Sequence, residues 1–132
     1  KIASELKVNS VFLGRRDYIE AMKILSQCDI ALNPLKKGAA QSIINKVGDY
    51  AALGLPVVNS LQNEEYQNLL NKYDAGISVE AENPTVMCDA IDCILSNDIN
   101  KKELKINSRL LAEERFDRKK CYERIRFEIM EG

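Results

Sequence analysis

Short apolar runs alternate with stretches of helical period along most of this chain. The runs are Val11-Phe12-Leu13, Ile30-Ala31-Leu32, Pro56-Val57-Val58 and Ile77-Ser78-Val79. Between them, Tyr18, Ala21, Met22, Leu25 and Cys28 fall on one helical stripe, Ile43, Val47 and Tyr50 on a second, and Tyr66, Leu69, Leu70 and Tyr73 on a third. Residues three and four apart share a helix face, so each stripe predicts an amphipathic helix. Strand and helix alternating at this spacing predict βαβ units, hence an α/β fold with a parallel sheet of about four strands and helices on both faces. The apolar runs are continuous, as strands buried on both faces require.

The polar residues punctuate this pattern. Asp17, with Glu20 three residues on, reads as an N-cap with its capping-box partner. Gly54 follows the second stripe as a helix stop, and Gly76 precedes the last apolar run. After Val79 only helical patterns remain, predicting a helical C-terminal tail. Asn83-Pro84 opens one helix, with proline in the first turn and Met87, Ala90, Ile91, Ile94 and Leu95 as its core stripe. Asp98 is the expected cap of the next, which runs to about Arg115, and Asp117 that of the last, where Cys121, Ile125 and Ile129 recur every fourth residue. The lysines and arginines of these two helices read as a solvated face.

Composition narrows the chemistry. The chain has 132 residues, 45% apolar and 30% charged, enough for one globular core. Nineteen basic against 20 acidic residues give a net charge of −1, without the basic footprint of a nucleic-acid binder. There are no histidines, which excludes Ser-His-Asp and Cys-His catalysis, histidine bases and His-ligated zinc. The four cysteines, Cys28, Cys88, Cys93 and Cys121, form no C-x-x-C pair. Cys88 and Cys93 lie in an apolar helical stretch and are expected to be buried small hydrophobes in a reducing cytosol. No metal site is expected. With no tryptophan and three phenylalanines, a stacking platform for single strands is not expected either. No apolar run is long enough to span a membrane. Lys1-Ile2-Ala3-Ser4 is neither a methionine start nor a signal peptide, so the chain is expected to be part of something longer.

Parallel α/β sheets bind ligands beyond the carboxyl ends of their strands. Three loops occupy that place: Gly14-Arg15-Arg16, the long segment from Asn33 to Ser42, and Asn59 to Asn63. The middle loop carries Lys36 and Lys37, then Gly38, Ala39 and Ala40, before a helix start near Ser42. Free backbone N–H groups and the helix dipole at such a start suit a phosphate or sugar hydroxyls.

The order of these pieces is more specific than any one of them. Val11-Phe12-Leu13-Gly14, then Cys28-Asp29-Ile30-Ala31-Leu32-Asn33-Pro34, then Lys46 to Val58 (KVGDYAALGLPVV) and finally Ala112 to Asp117 (AEERFD) follow one another. This resembles the C-terminal, nucleotide-sugar-binding domain of GT-B-fold glycosyltransferases, family 4 in particular, over roughly residues 8 to 130. The resemblance implies a truncated Rossmann-like fold. It makes residues 1–132 a single partial domain, the C-terminal part of a donor-binding domain.

Carried over position by position, the resemblance puts the donor's ribose diol on Asp49, where family members normally have glutamate. Gln41 stands where a second glutamate is usual, eight positions earlier. A carboxylate suits a diol because its two oxygens accept two vicinal hydroxyl protons. Gly14 and Arg15 match the turn that meets the nucleotide base. Gly38, Ala39, Ala40, Gln41 and Ser42 match the loop whose amides meet the sugar and diphosphate, and Lys46 lies one turn before Asp49.

The implied function is a retaining, hexosyl-type transfer from a nucleotide-diphosphate-sugar donor in bacterial surface polysaccharide or glycan biosynthesis. No cofactor is expected beyond the donor substrate, and no residue here is assigned as catalytic. The glycan or lipid-linked acceptor belongs to a preceding domain, and the glycine-rich turn, Arg and Lys that neutralise the diphosphate to two earlier βα units of this same domain. These 132 residues alone are therefore expected to be inert. The expected location is cytoplasmic, or peripheral at the inner membrane face. The alternatives are a GT-B sugar-nucleotide epimerase and a non-catalytic α/β binding or regulatory module; a receiver-like module lacks its aspartate cluster here. If Val11-Phe12-Leu13 is a strand without its usual neighbours, it pairs with Ile30-Ala31-Leu32 or self-associates with a second molecule.

Overall fold

The computed structural model describes residues 2–39 and 45–131. In chain order the elements are α1 (Ile2–Glu5), α2 (Tyr18–Leu25), β1 (Ala31–Asn33), α3 (Asn45–Ala52), β2 (Val57–Asn59), α4 (Glu64–Tyr73), β3 (Gly76–Ser78), α5 (Pro84–Leu95) and α6 (Asp98–Leu111). A π-helical turn (Ala112–Phe116) and α7 (Arg118–Glu131) follow. The strands form one parallel sheet in the order β1-β2-β3. This is a truncated Rossmann-like α/β fold with a helical C-terminal region.

Neighbouring residues of β2 point to opposite faces, as the pleat dictates. Val57 packs with Ala31 and Leu55 against Leu25, Cys28, Tyr50 and Leu53. Val58 packs with Val79, Ala90, Ile94 and Leu104, the last three from α5 and α6. A third cluster joins Val47 of α3, Leu61, Tyr66, Leu69 and Leu70 of the α4 region, Ala75 and Leu111 of α6. Helices thus cover both faces, and the unbroken apolar strands follow from that.

Asx residues start the helices. Asp17 accepts from the Glu20 amide at 2.8 Å, Asn63 from Tyr66 at 2.8 Å, and Asn83 from Val86 at 3.2 Å ahead of Pro84. Each cap contributes about 1 kcal/mol. Asp117 accepts from the Lys119 amide at 2.9 Å. The cap of α6 is Asn97 rather than Asp98: its extended backbone lets its side chain reach the amides of Ile99 and Asn100 at 3.0 and 3.2 Å. Asp98 is already helical and lends its charge to the first turn. Gly54 ends α3 at φ +67°, a conformation open to glycine at little cost. Lys101 and Lys105 of α6 converge on Asp29 at 3.4 and 3.5 Å, and their charges, Lys101's foremost, hold that carboxyl below its usual pKa.

Four expectations are corrected. Val11-Phe12-Leu13 is not a strand, so the sheet of the described residues has three strands, not about four. Phe12 is 87% exposed. An apolar triplet becomes a strand only where a neighbouring edge supplies hydrogen bonds and a face to pack on, and this one pairs with no strand among the described residues. Cys88 and Cys93 are exposed, because α5 buries only Ala90 and Ile94 fully, with Met87 and Ile91 beside them. Cys121, Ile125 and Ile129 are likewise exposed: residues 118–130 of α7 are all exposed, its apolar and charged positions being mixed around its circumference. Tyr18 also leaves its stripe and stays 62% exposed; the half-buried side of α2 begins one turn later, at Ala21 and Met22.

Candidate functional site

A cavity of about 990 Å³ lies between the first turn of α2, the outer side of α3, the π-helical turn and α7. Asp49 projects into it from the middle of α3, half-buried. The Tyr18 hydroxyl donates to Asp49 Oδ1 at 3.0 Å. That bond, and then the carboxylate's charge, raise the Tyr18 pKa above its ordinary value, while the charge of Arg118 acts in the opposite sense. Asp49, Tyr18 and Arg118 therefore share one electrostatic environment. Burial, and secondarily the Asp49 charge, also raise the pKa of Tyr50.

The opposite wall comes from the π-helical turn. Phe116 packs on α3 beside Gly48, whose absent Cβ would lie 3.9 Å from the Phe116 ring. Arg109 bonds Glu113 at 2.7 Å and reaches the Ala52 carbonyl, tying the turn to the end of α3. Tyr73 donates to Glu114 at 2.7 Å, which ties it to α4 and raises the Tyr73 pKa. Arg115, Arg118 and Tyr122 also line it.

A smaller opening of about 300 Å³ sits at the carboxyl ends of the strands, between Pro34-Leu35-Lys36, Ser60 and the start of α5. Here the loop after β1 is fastened to the end of β2. The Leu35 amide donates to Ser60 Oγ at 2.7 Å, and the same hydroxyl donates to the Leu35 carbonyl at 3.1 Å. Below it, the Ser60 amide donates to the Asn33 carbonyl at 3.1 Å.

Of the residues expected at the site, Asp49 lines the larger cavity. Gly14, at φ +66°, and Arg15 are exposed just before the Asp17 cap of α2, and line neither of these two cavities. Gly38 is exposed at φ +77°, and the Ala39 amide closes a turn on Lys36 at 3.2 Å. Ala40, Gln41 and Ser42 lie outside the described residues. Lys46 is exposed on the first turn of α3 and lines neither cavity. The sequence reading missed Tyr18, Arg118 and Ser60 as site residues. The one available signal was a tyrosine placed directly after a helix cap, where the first turn is still uncovered. Among the described residues no three acids or thiols are grouped to hold a metal ion, and no helix is long and apolar enough to cross a membrane.

A family model described as glycosyl transferases group 1 matches residues 1–97. The chain belongs to this family. No curated protein and no solved structure matches it. The match runs through α5, so the glycosyltransferase segment supplies Tyr18 and Asp49 to the larger cavity and the whole of the smaller one. Arg115, Phe116, Arg118 and Tyr122 stand beyond the match and close the larger cavity from the other side.

Proposed function

We propose that this chain binds the nucleotide-diphosphate-sugar donor of a retaining, hexosyl-type glycosyltransferase, with the ribose diol on Asp49. The observation that carries the reading is the Asp49 carboxylate, half-buried in the larger cavity and oriented by the Tyr18 hydroxyl. Tyr18 occupies one lone pair of Oδ1; a carboxylate has about four such sites, so two vicinal hydroxyls still find acceptors. Gly14 and Arg15 are the proposed contacts to the base. The loop from Gly38 through Ala39, Ala40, Gln41 and Ser42, with Lys46 behind it, is the proposed contact to sugar and diphosphate.

In the transfer itself the bond from the sugar's anomeric carbon to the diphosphate breaks, a bond to an acceptor oxygen forms on the same face, and the acceptor's hydroxyl proton passes to the departing diphosphate. The diphosphate departs as an anion, so donors must neutralise the charge as it develops. For these residues taken alone we propose donor binding without turnover, because transfer also needs an acceptor held against the sugar. The family resemblance suggests a glycan or lipid-linked acceptor, polysaccharide synthesis, and a cytoplasmic or membrane-peripheral setting.

Calorimetry with UDP, GDP and ADP tests the reading. Asp49→Asn is expected to weaken the best of them by about 1–3 kcal/mol, the scale of a hydrogen bond to a charged group. Unchanged affinity in a variant with native circular dichroism overturns the ribose assignment.

A further inference from the structure

The smaller cavity contains a contact that neither the motif nor the charge pattern announces. Ser60 is 2% exposed, and its hydroxyl both accepts from the Leu35 amide at 2.7 Å and donates to the Leu35 carbonyl at 3.1 Å. One side chain thereby satisfies both backbone polar groups of a residue outside any strand or helix. Two residues back along the same loop, the Asn33 side chain donates to Asn59 Oδ1 at 2.8 Å, and the Asn33 carbonyl takes the Ser60 amide at 3.1 Å. The root of the loop is thus fixed to β2 at Asn33 and again at Leu35. From Lys36 the chain turns outward, with Lys36, Lys37 and Gly38 all exposed.

We propose that Ser60 is a positioning residue for donor binding, holding the loop at residues 34–39 so that Lys36, Lys37 and Gly38 face the diphosphate-sugar end of the donor. This rests on the donor reading above. The physical case is one of preorganisation. A loop fixed before the ligand arrives loses less conformational freedom on binding, and loops of this kind carry function because a rigid element places them. Without the hydroxyl, the Leu35 amide and carbonyl lose their shared partner, and the chain beyond Leu35 gains alternatives to its bound geometry. Asp49 stands on a different element and is untouched by this change, so the two ends of the donor respond separately.

The test compares wild type, Ser60→Ala and Ser60→Thr in the 132-residue chain. The probes are UDP-glucose and GDP-mannose, each set against its nucleoside, uridine or guanosine, with binding read by NMR titration. For whichever pair binds wild type, Ser60→Ala is expected to weaken the nucleotide sugar at least fivefold and to leave the nucleoside within twofold. Ser60→Thr, which restores the hydroxyl, is expected to recover most of the loss. Amide exchange at Leu35 is expected to quicken in Ser60→Ala alone, with circular dichroism unchanged. Equal weakening of nucleotide sugar and nucleoside, or none of either, overturns the positioning role. Absence of binding by wild type to all four probes overturns the donor reading instead, and the proposal with it.

Discussion

Asn33 and Asn59 meet across β1 and β2 with Nδ2 of the first 2.8 Å from Oδ1 of the second, and both residues are buried. The two are not equivalent. Asn59 Oδ1 also accepts from the Leu61 amide at 3.1 Å, and its Nδ2 donates to the Leu61 carbonyl at 3.3 Å. Removing Asn59 orphans the Asn33 side-chain amide and the Leu61 amide, while the Leu61 carbonyl keeps Gln67; removing Asn33 leaves Asn59 with its Leu61 partners. An unsatisfied buried donor or acceptor costs about 1–3 kcal/mol. Asn59→Ala is expected to cost about 3 kcal/mol and Asn33→Ala about 1 kcal/mol, by the rule that orphaned groups, not lost bonds, set the penalty. Urea denaturation of both variants measures the order, and a larger loss for Asn33→Ala contradicts this account.

Tyr66 buries its ring fully in the core beside Val47 and Leu70, yet its hydroxyl has no hydrogen-bond partner among the described residues. Phenylalanine keeps the shape and removes the unsatisfied oxygen, so Tyr66→Phe is expected to raise stability by about 1 kcal/mol at neutral pH. Burial pushes the Tyr66 pKa well above that of a free tyrosine. The sign follows: below the unfolded value near pH 10 the phenol is neutral in both states, and its ionisation contributes nothing to the difference. As pH rises past it, the unfolded chain ionises while the folded one resists, and stability falls. Denaturation midpoints between pH 8 and 11 are expected to drop more steeply for wild type than for Tyr66→Phe. Parallel curves count against the assignment.

The thiols separate by access. Cys88, Cys93 and Cys121 are exposed, while Cys28 is half-buried with its Sγ 3.6 Å from the Ile24 carbonyl. A maleimide at neutral pH is expected to label three thiols quickly and Cys28 at least tenfold more slowly, following the exposure that governs cysteine reactivity. Peptide mapping by mass spectrometry identifies the slow site. Slow labelling of Cys88 or Cys93 contradicts the orientation of α5.

Much of the fold was legible because its signals are local. The Asp17 cap, the Gly54 stop, the Asn83-Pro84 opening and three of the four apolar runs each depend on residues within one turn or one strand. Val11-Phe12-Leu13 failed for the converse reason: whether an apolar triplet becomes a strand is decided by a partner edge, which its own residues do not encode. The cysteines of α5 failed because an apolar helix with a narrow contact leaves apolar positions outside it. At the site, Asp49 was legible through the KVGDYAALGLPVV block. Tyr18, 31 residues away in sequence, and Ser60, 25 from Leu35, were not, since both act through tertiary contacts.

The five-residue π-helical turn between α6 and α7 makes the far wall of the larger cavity a matter of residue count. A wide turn of this kind holds one residue more than the α-helix it interrupts. Deleting Glu113 would return the segment to regular pitch and remove the partner of Arg109, itself one of the side chains that line the cavity. The chain would then enter α7 from a shifted backbone, and Arg118 and Tyr122 would stand differently towards Asp49. Length variation at this one place is thus a route by which the far wall can be reshaped while Asp49 and Tyr18 stay the same.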